Sequence, residues 1–279
     1  MIKMIEINNV SFEIDDKKIL NKVNLKINKG KIFGIIGPNG VGKTTLLRCL
    51  TGIYKPTYGN VTYEGEDVYD NPKVKGDIGY VADENIMPAN FRVSEILNYY
   101  KYSYDNFDRN RFDELNEIFK IPLNRFVFQL SKGMKMRLSI MLAFSIHAKY
   151  LVLDEPTSGL DAILKNKLLK IFADEVVENN TTIIISSHHL GELERICDDV
   201  AILDDGVVSY ENSVENMKNK IKKIQVAFKE DINEEKLQFK GVSKINKIGR
   251  VFTIITEEYN EDFLKELNKY NPLFIEEID

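Results

Sequence analysis

The chain has 279 residues, 43% of them hydrophobic and 29% charged, with a formal net charge of −5. This size supports a sizeable core in one large or two modest domains, and the mild acidity opposes a nucleic-acid binder, which is usually basic. The two cysteines, Cys49 and Cys197, have neither metal-ligand spacing nor a disulfide pattern, which predicts buried thiols in a reducing compartment.

The opening residues Met1-Ile2-Lys3-Met4-Ile5-Glu6 lack the apolar stretch of a signal peptide, and no run approaches the ~18 apolar residues of a bilayer span. Residues 2–30 alternate apolar and polar, with turn signals at Asp15-Asp16 and Asn28-Lys29-Gly30, so antiparallel strands are predicted. Lys31-Ile32-Phe33-Gly34-Ile35-Ile36 then reads as a buried strand. Gly37-Pro38-Asn39-Gly40-Val41-Gly42-Lys43-Thr44 fits G-x-x-x-x-G-K-[ST] at every fixed position, and Thr45-Leu46-Leu47 opens a helical pattern. Strand, glycine-rich loop and helix in this order turn main-chain N–H groups and a helix N-terminus towards phosphate oxygens. The candidate nucleotide contacts are therefore Gly37, Pro38, Asn39, Gly40, Val41, Gly42, Lys43, Thr44 and Thr45, with Lys43 on the β- and γ-phosphates and the Thr44 hydroxyl on Mg²⁺. The motif predicts binding of ATP or GTP. G-x-G-x-x-G is absent, which removes a dinucleotide reading.

Further along, Tyr54 to Val61 reads as a loop and turn around Pro56 and Gly59, and Ile78-Gly79-Tyr80-Val81 as a short strand. Val93 to Phe128 is helical in pattern with Ser94 as N-cap; its Tyr99, Tyr100, Tyr102, Tyr104 and Phe107 suit core packing ahead of a protein contact surface. Tyr150-Leu151-Val152-Leu153 and Thr182-Ile183-Ile184-Ile185 read as buried parallel strands flanking a helix over 162–177. The first ends in Asp154 and Glu155, at the strand edge where ligands collect in such sheets. Asp154 can anchor Mg²⁺, and Glu155 can orient or deprotonate an attacking water. Val200–Leu203 and Val207–Ser209 form a predicted hairpin around Asp204-Asp205-Gly206. Past residue 212, apolar runs at 224–228 and 251–255 and a helix near 261–270 suggest a small appended α+β unit.

Leu130-Ser131-Lys132-Gly133-Met134-Lys135-Met136-Arg137 lies before the Asp154 strand and opens a helix. With it, the chain resembles an ATP-binding subunit of an ABC transporter, whose signature usually reads LSGGQ; Lys132 and Met134 depart from it. Ser158-Gly159-Leu160-Asp161 resembles that family's D-loop, and Ser186-Ser187-His188 its switch histidine. The resemblance covers residues 4 to about 210. It implies an α/β P-loop NTPase core over 1–212, with an antiparallel β subdomain and a helical subdomain at about 84–135, and leaves the appended α+β unit as an extension over 213–279.

Several roles follow from the resemblance alone. Two such subunits pair head to tail, as homodimer or paralogous heterodimer, so each ATP lies between one phosphate loop and the partner's Ser131, Gly133 and Asp161. His188 contacts the γ-phosphate, and Lys43, Glu155 and His188 form the catalytic set. Thr44, Asp154 and Asp83 are the metal ligands, Asp83 standing where the family carries a glutamine, with Glu84 as the alternative. The adenine contact falls to Ile14, with Phe12 at the same strand parity as a substitute. Lys132 brings an extra cation towards ATP that offsets the added carboxylate. His189 and His147, the latter expected on a helix, take packing or surface roles. The implied function is an ATPase with Mg²⁺ that powers export through a separate integral-membrane permease docked near residues 83–105, placing the chain in the cytoplasm on the inner membrane face. The alternative weighed against it is an ABC-type ATPase acting on ribosomes or DNA.

Overall fold

The structure, a computed structural model, describes residues 4–84, 87–220, 222–229, 232–256 and 259–278. The alternating N-terminal stretch forms β1 (Met4–Ile14) and β2 (Lys17–Asn28), paired antiparallel across a turn in which Asp15 and Asp16 both adopt positive φ. β4 (Tyr58–Tyr63) pairs with the other edge of β1, and β5 (Glu66–Asp67) closes a four-stranded antiparallel sheet in the order β2-β1-β4-β5 once β3 (Ile32–Ile36) is set aside for the second sheet. The expected loop over Tyr54–Val61 is thus half strand. A Cβ on Gly59 would lie 2.3 Å from the Asn8 carbonyl oxygen, so this glycine serves a close approach between strands rather than a chain reversal.

The second sheet has six strands. Besides β3 it contains β6 (Ile78–Val81), β7 (Tyr150–Asp154), β8 (Thr182–Ser187), β9 (Asp199–Asp204) and β10 (Val207–Ser213), in the order β10-β9-β3-β8-β7-β6. β3, β7 and β8 are buried along their whole length, and the pairs β6–β7, β7–β8, β3–β8 and β3–β9 are parallel. Continuous apolar runs with both faces covered are what such strands require. α1 (Lys43–Leu50) contacts β7, while α2 (Pro72–Gly76) starts on Asn71, whose side chain accepts the Val74 N–H. Leu46, Leu47 and Leu50 of α1 share one buried cluster with Phe33, Ile35, Val152 and Ile184.

Helices α3 (Val93–Ser103), α4 (Arg109–Phe119) and α5 (Lys132–Ser145) occupy the stretch between β6 and β7. α3 begins two residues earlier than a cap at Ser94 would place it. Glu95 Oε2 accepts the Arg92 N–H at 2.6 Å, which makes Arg92 the cap and leaves Ser94 inside the first turn. The aromatic stretch divides. Tyr100 stacks on Tyr104 at 5.3 Å, whereas Tyr102 is 86% exposed. His147 lies just beyond α5 in a left-handed conformation, not on the helix, with Nε2 3.2 Å from Asp108. α6 (Ala162–Asn179) and α7 (Leu190–Leu193) complete the first unit, which spans 1–211.

The second unit, 212–279, contains α8 (Val214–Lys220), β11 (Lys222–Phe228), β12 (Val242–Ile248), β13 (Val251–Thr256), α9 (Glu261–Asn268) and β14 (Pro272–Ile278). Its antiparallel sheet runs β12-β13-β11-β14, and Ile224, Val226, Phe228, Phe252 and Ile254 pack with Phe263 and Leu267 of α9. β12 and β14 go beyond the strands expected from sequence, because Lys244, Asn246, Glu276 and Glu277 interrupt their apolar patterns.

Candidate active site

The β3 strand delivers the chain to residue 37 at the C-terminal edge of the six-stranded sheet. A Cβ at Gly37 would sit 2.4 Å from the Leu203 carbonyl oxygen, and Gly42, at φ 106, would bring one 2.9 Å from that of Ile19. Only glycine accommodates both the path and the left-handed turn. Lys43, 6% exposed, donates through Nζ to the Gly37 and Pro38 carbonyl oxygens at 2.7 and 3.1 Å. Its ammonium therefore stands inside the ring formed by its own loop, and Nζ also lies 3.2 Å from Glu155 Oε1.

Strand ends β7 and β8 supply the acidic part. The Thr44 hydroxyl donates to Asp154 Oδ2 at 2.7 Å, and the Ser186 hydroxyl donates to Asp154 Oδ1 at 2.5 Å. Ser186 Oγ in turn accepts the Glu155 N–H at 2.9 Å, fixing the backbone of a residue held at φ 48. Non-glycine residues in that region carry strain and concentrate at functional sites. His188 Nδ1 lies 2.9 Å from Glu155 Oε2. Lys43, Glu155 and His188 thus form one chain of polar contacts beside Thr44 and Asp154.

Of these groups Lys43, Thr44 and Glu155 line a cavity of about 330 Å³, together with Ile14, Ile19, Asn39, Gly40, Gly42, Thr45 and Asp83. Asp83 shares the lining of this cavity with Asn39, Gly40 and Lys43 of the phosphate loop. Phe12 does not: its ring stacks on Tyr54 at 5.1 Å with planes 4° apart, and it packs against the buried cluster. Shared strand parity with Ile14 does not carry Phe12 to the cavity, because β1 shifts register between Val10 and Phe12 and again between Phe12 and Glu13. Each bulge rotates the following side chains. Ile14 and Ile19 give the cavity an aliphatic wall instead.

Ser131, Gly133 and Asp161 do not line this cavity. Ser131 caps α5 by accepting the Met134 N–H, and Asp161 caps α6 by accepting those of Ile163 and Leu164. Gly133 and Gly159 nonetheless sit together, since a Cβ on Gly133 would lie 3.3 Å from the Gly159 oxygen.

No role was expected for Ser186 itself, one of the two serines that follow the apolar run Ile183–Ile185 in β8. Sequence reasoning also missed Glu192, which accepts from Thr157 at 2.7 Å and Lys165 at 2.6 Å. Burial resists ionisation of that carboxyl, but the bonds from Lys165 and Thr157 outweigh it and hold the carboxyl below its usual range. The His189 ring packs at 3.9 Å from that of His188.

The donor set suits a magnesium nucleotide. Among the described residues no three His, Cys, Asp or Glu side chains are grouped to hold a metal by themselves. A small hard cation taking one or two carboxylates, a hydroxyl and substrate phosphates needs no such group.

The family model "ABC transporter" matches residues 20–158. The ABC transporter ATP-binding protein YtrB of Bacillus subtilis is 33% identical over 267 residues, covering 95% of this chain and 91% of that protein. This chain is an ABC transporter ATP-binding protein.

Other members of the ABC transporter family are similar at comparable levels. The bacitracin transport ATP-binding protein BcrA of Bacillus licheniformis is 34% identical, covering 74% of this chain and 69% of its own. The lantibiotic transport ATP-binding protein SrtF of Streptococcus pyogenes is 32% identical, covering 77% and 93%. Among solved structures, the dimeric bacterial ABC transporter cassette MJ0796 superposes with a TM-score of 0.69 at 25% identity, over 76% of this chain and 99% of that one. As a family member, the chain carries the ABC-type P-loop fold. No helix among its described residues is long and apolar enough to cross a membrane.

Proposed function

We propose that this chain hydrolyses ATP to drive an exporter, pairing head to tail with a second ATP-binding subunit on the cytoplasmic face of a separate integral-membrane permease. The observation that carries the reading is Glu155, placed between Lys43 and His188 at the rim of the phosphate-loop cavity. The names of BcrA, a bacitracin transport ATP-binding protein, and SrtF, a lantibiotic transport ATP-binding protein, favour export.

In this reading the loop amides and Lys43 hold the β- and γ-phosphates. Mg²⁺, when bound, neutralises developing charge on them; Thr44 and Asp154 would hold it, with Asp83 as the third ligand. Glu155 takes the proton of the attacking water. His188, its Nδ1 engaged by Glu155, keeps Nε2 for the γ-phosphate, to which it donates when the ring is protonated. Ser131, Gly133 and the N-terminus of α5 face the nucleotide of the paired subunit, so ATP joins the two and loss of its terminal phosphate separates them. Exposed Tyr99 and Tyr102 on α3 belong to the face offered to the permease, near residues 83–105.

The test is purification of the chain with its membrane-embedded partner and measurement of ATP turnover with and without that partner. Turnover that requires Glu155 and rises with the permease supports the reading. Absence of nucleotide binding removes it.

A further inference from the structure

Asp83 and Lys132, far apart in the sequence, meet with Lys132 Nζ 2.8 Å from Asp83 Oδ1. Asp83 follows β6 and lines the same cavity as Lys43, Thr44 and Glu155. Lys132 is the first residue of α5, beside its cap Ser131.

Local structure gives no reason for a lysine there. A cation in the first turn faces the positive end of the helix dipole, and α5 has no acidic residue in that turn to relieve it. Stability gives little reason either, because the two side chains are 61% and 38% exposed and such pairs contribute little. The cavity supplies one. It is built for a polyanion, yet Asp83 and Glu155 both border it and Asp154 lies just behind Thr44. Lys43 stands against Glu155, and Asp154 is bonded to Thr44 and Ser186. Lys132 is the cation paired with Asp83, and it takes Oδ1.

We propose that Lys132 is a positioning residue for Asp83: it balances and orients that carboxylate, and so sets how strongly nucleotide binding depends on a divalent cation. The inference rests on the nucleotide reading above. Without Lys132, Asp83 repels a metal-free triphosphate and is freer to turn to a metal. Metal-free binding weakens, and the gain on adding Mg²⁺ grows.

A double-mutant cycle on the full chain tests this, reading the affinity of a non-hydrolysable ATP analogue by calorimetry in Mg²⁺ and in EDTA. The readout is the ratio of the two affinities, which partial unfolding leaves unchanged because it scales both alike. K132A should raise the ratio about threefold, the scale of one exposed ion pair. K132R should restore it. In the D83N background K132A should leave the ratio unchanged, because the residue through which Lys132 acts has lost its charge. A ratio insensitive to K132A, or shifted equally in both backgrounds, overturns the inference; the second result would mean that Lys132 acts on phosphate directly. Wild-type protein that binds no analogue in either buffer instead removes the nucleotide reading itself.

Discussion

His188 Nδ1 lies 2.9 Å from Glu155 Oε2, and that contact sets the direction in which the glutamate can work. A carboxylate so oriented is a proton acceptor; an amide of the same shape is not. Glu155→Gln should therefore slow ATP turnover by about 10²-fold or more while nucleotide binding persists. The variant should also accumulate an ATP-bound dimer, visible by size-exclusion chromatography with light scattering. Unchanged turnover would take Glu155 out of the chemistry.

Lys43 carries a different load. Its Nζ donates to two loop carbonyl oxygens and faces Glu155 while 6% exposed, so its stem is packed and its charge is aimed. Lys43→Ala removes a charge-assisted donor to phosphate and leaves Glu155 uncompensated. ATP affinity measured by calorimetry should fall about 10- to 100-fold, the scale of a lost hydrogen bond to a charged group plus repulsion from the orphaned carboxylate. Retention of wild-type affinity would contradict the assignment.

The parts of this site legible in sequence are those whose chemistry fixes local spacing. A phosphate loop needs glycine at Gly37 and Gly42 because backbone atoms of other strands stand within 3 Å of where a side chain would begin. Asp154 and Glu155 were legible because a wholly buried strand ends on them. What escaped depends on tertiary geometry. The bulges in β1 that turn Phe12 to Tyr54 and leave Ile14 at the cavity have no composition signal. β4 was hidden because Gly59 reads as punctuation until Asn8 is seen above it. Lys132 and Asp83 join separate elements, and nothing periodic connects them.

Both thiols should be silent in the folded protein. Cys49 is buried on α1, where desolvation pushes its thiol up to about 12, and burial raises that of Cys197 further, with Asp198 and Asp199 adding to it. The thiolate is the reactive form, so at pH 8 almost none is present. Ellman's reagent should find no fast-reacting thiol in native protein and two after denaturation in guanidinium. Rapid labelling of either cysteine in the native state would show that α1 or the segment after α7 opens readily.

Arg111 and Glu175 provide the sharpest stability contrast. Arg111 Nη2 lies 3.0 Å from Glu175 Oε2 and ties α4 to α6; the glutamate side chain is 3% exposed and the arginine 24%. Removing one member of a buried pair leaves the other charge without compensation, at about 3–5 kcal/mol where both are buried. Here the arginine keeps partial access to water and a second carboxylate, Glu114, at 3.5 Å. Glu175→Ala should therefore destabilise the first unit by about 2–3 kcal/mol in urea unfolding, below that range but well above a surface change. Asp113→Ala breaks the i,i+4 pair with Arg109, whose partners are both about half exposed, and should cost under about 0.5 kcal/mol. Equal losses from the two variants would mean that burial is not what distinguishes these pairs. α4 would then be held to the core by its apolar face, Phe112, Leu115 and Phe119, and not by the arginine.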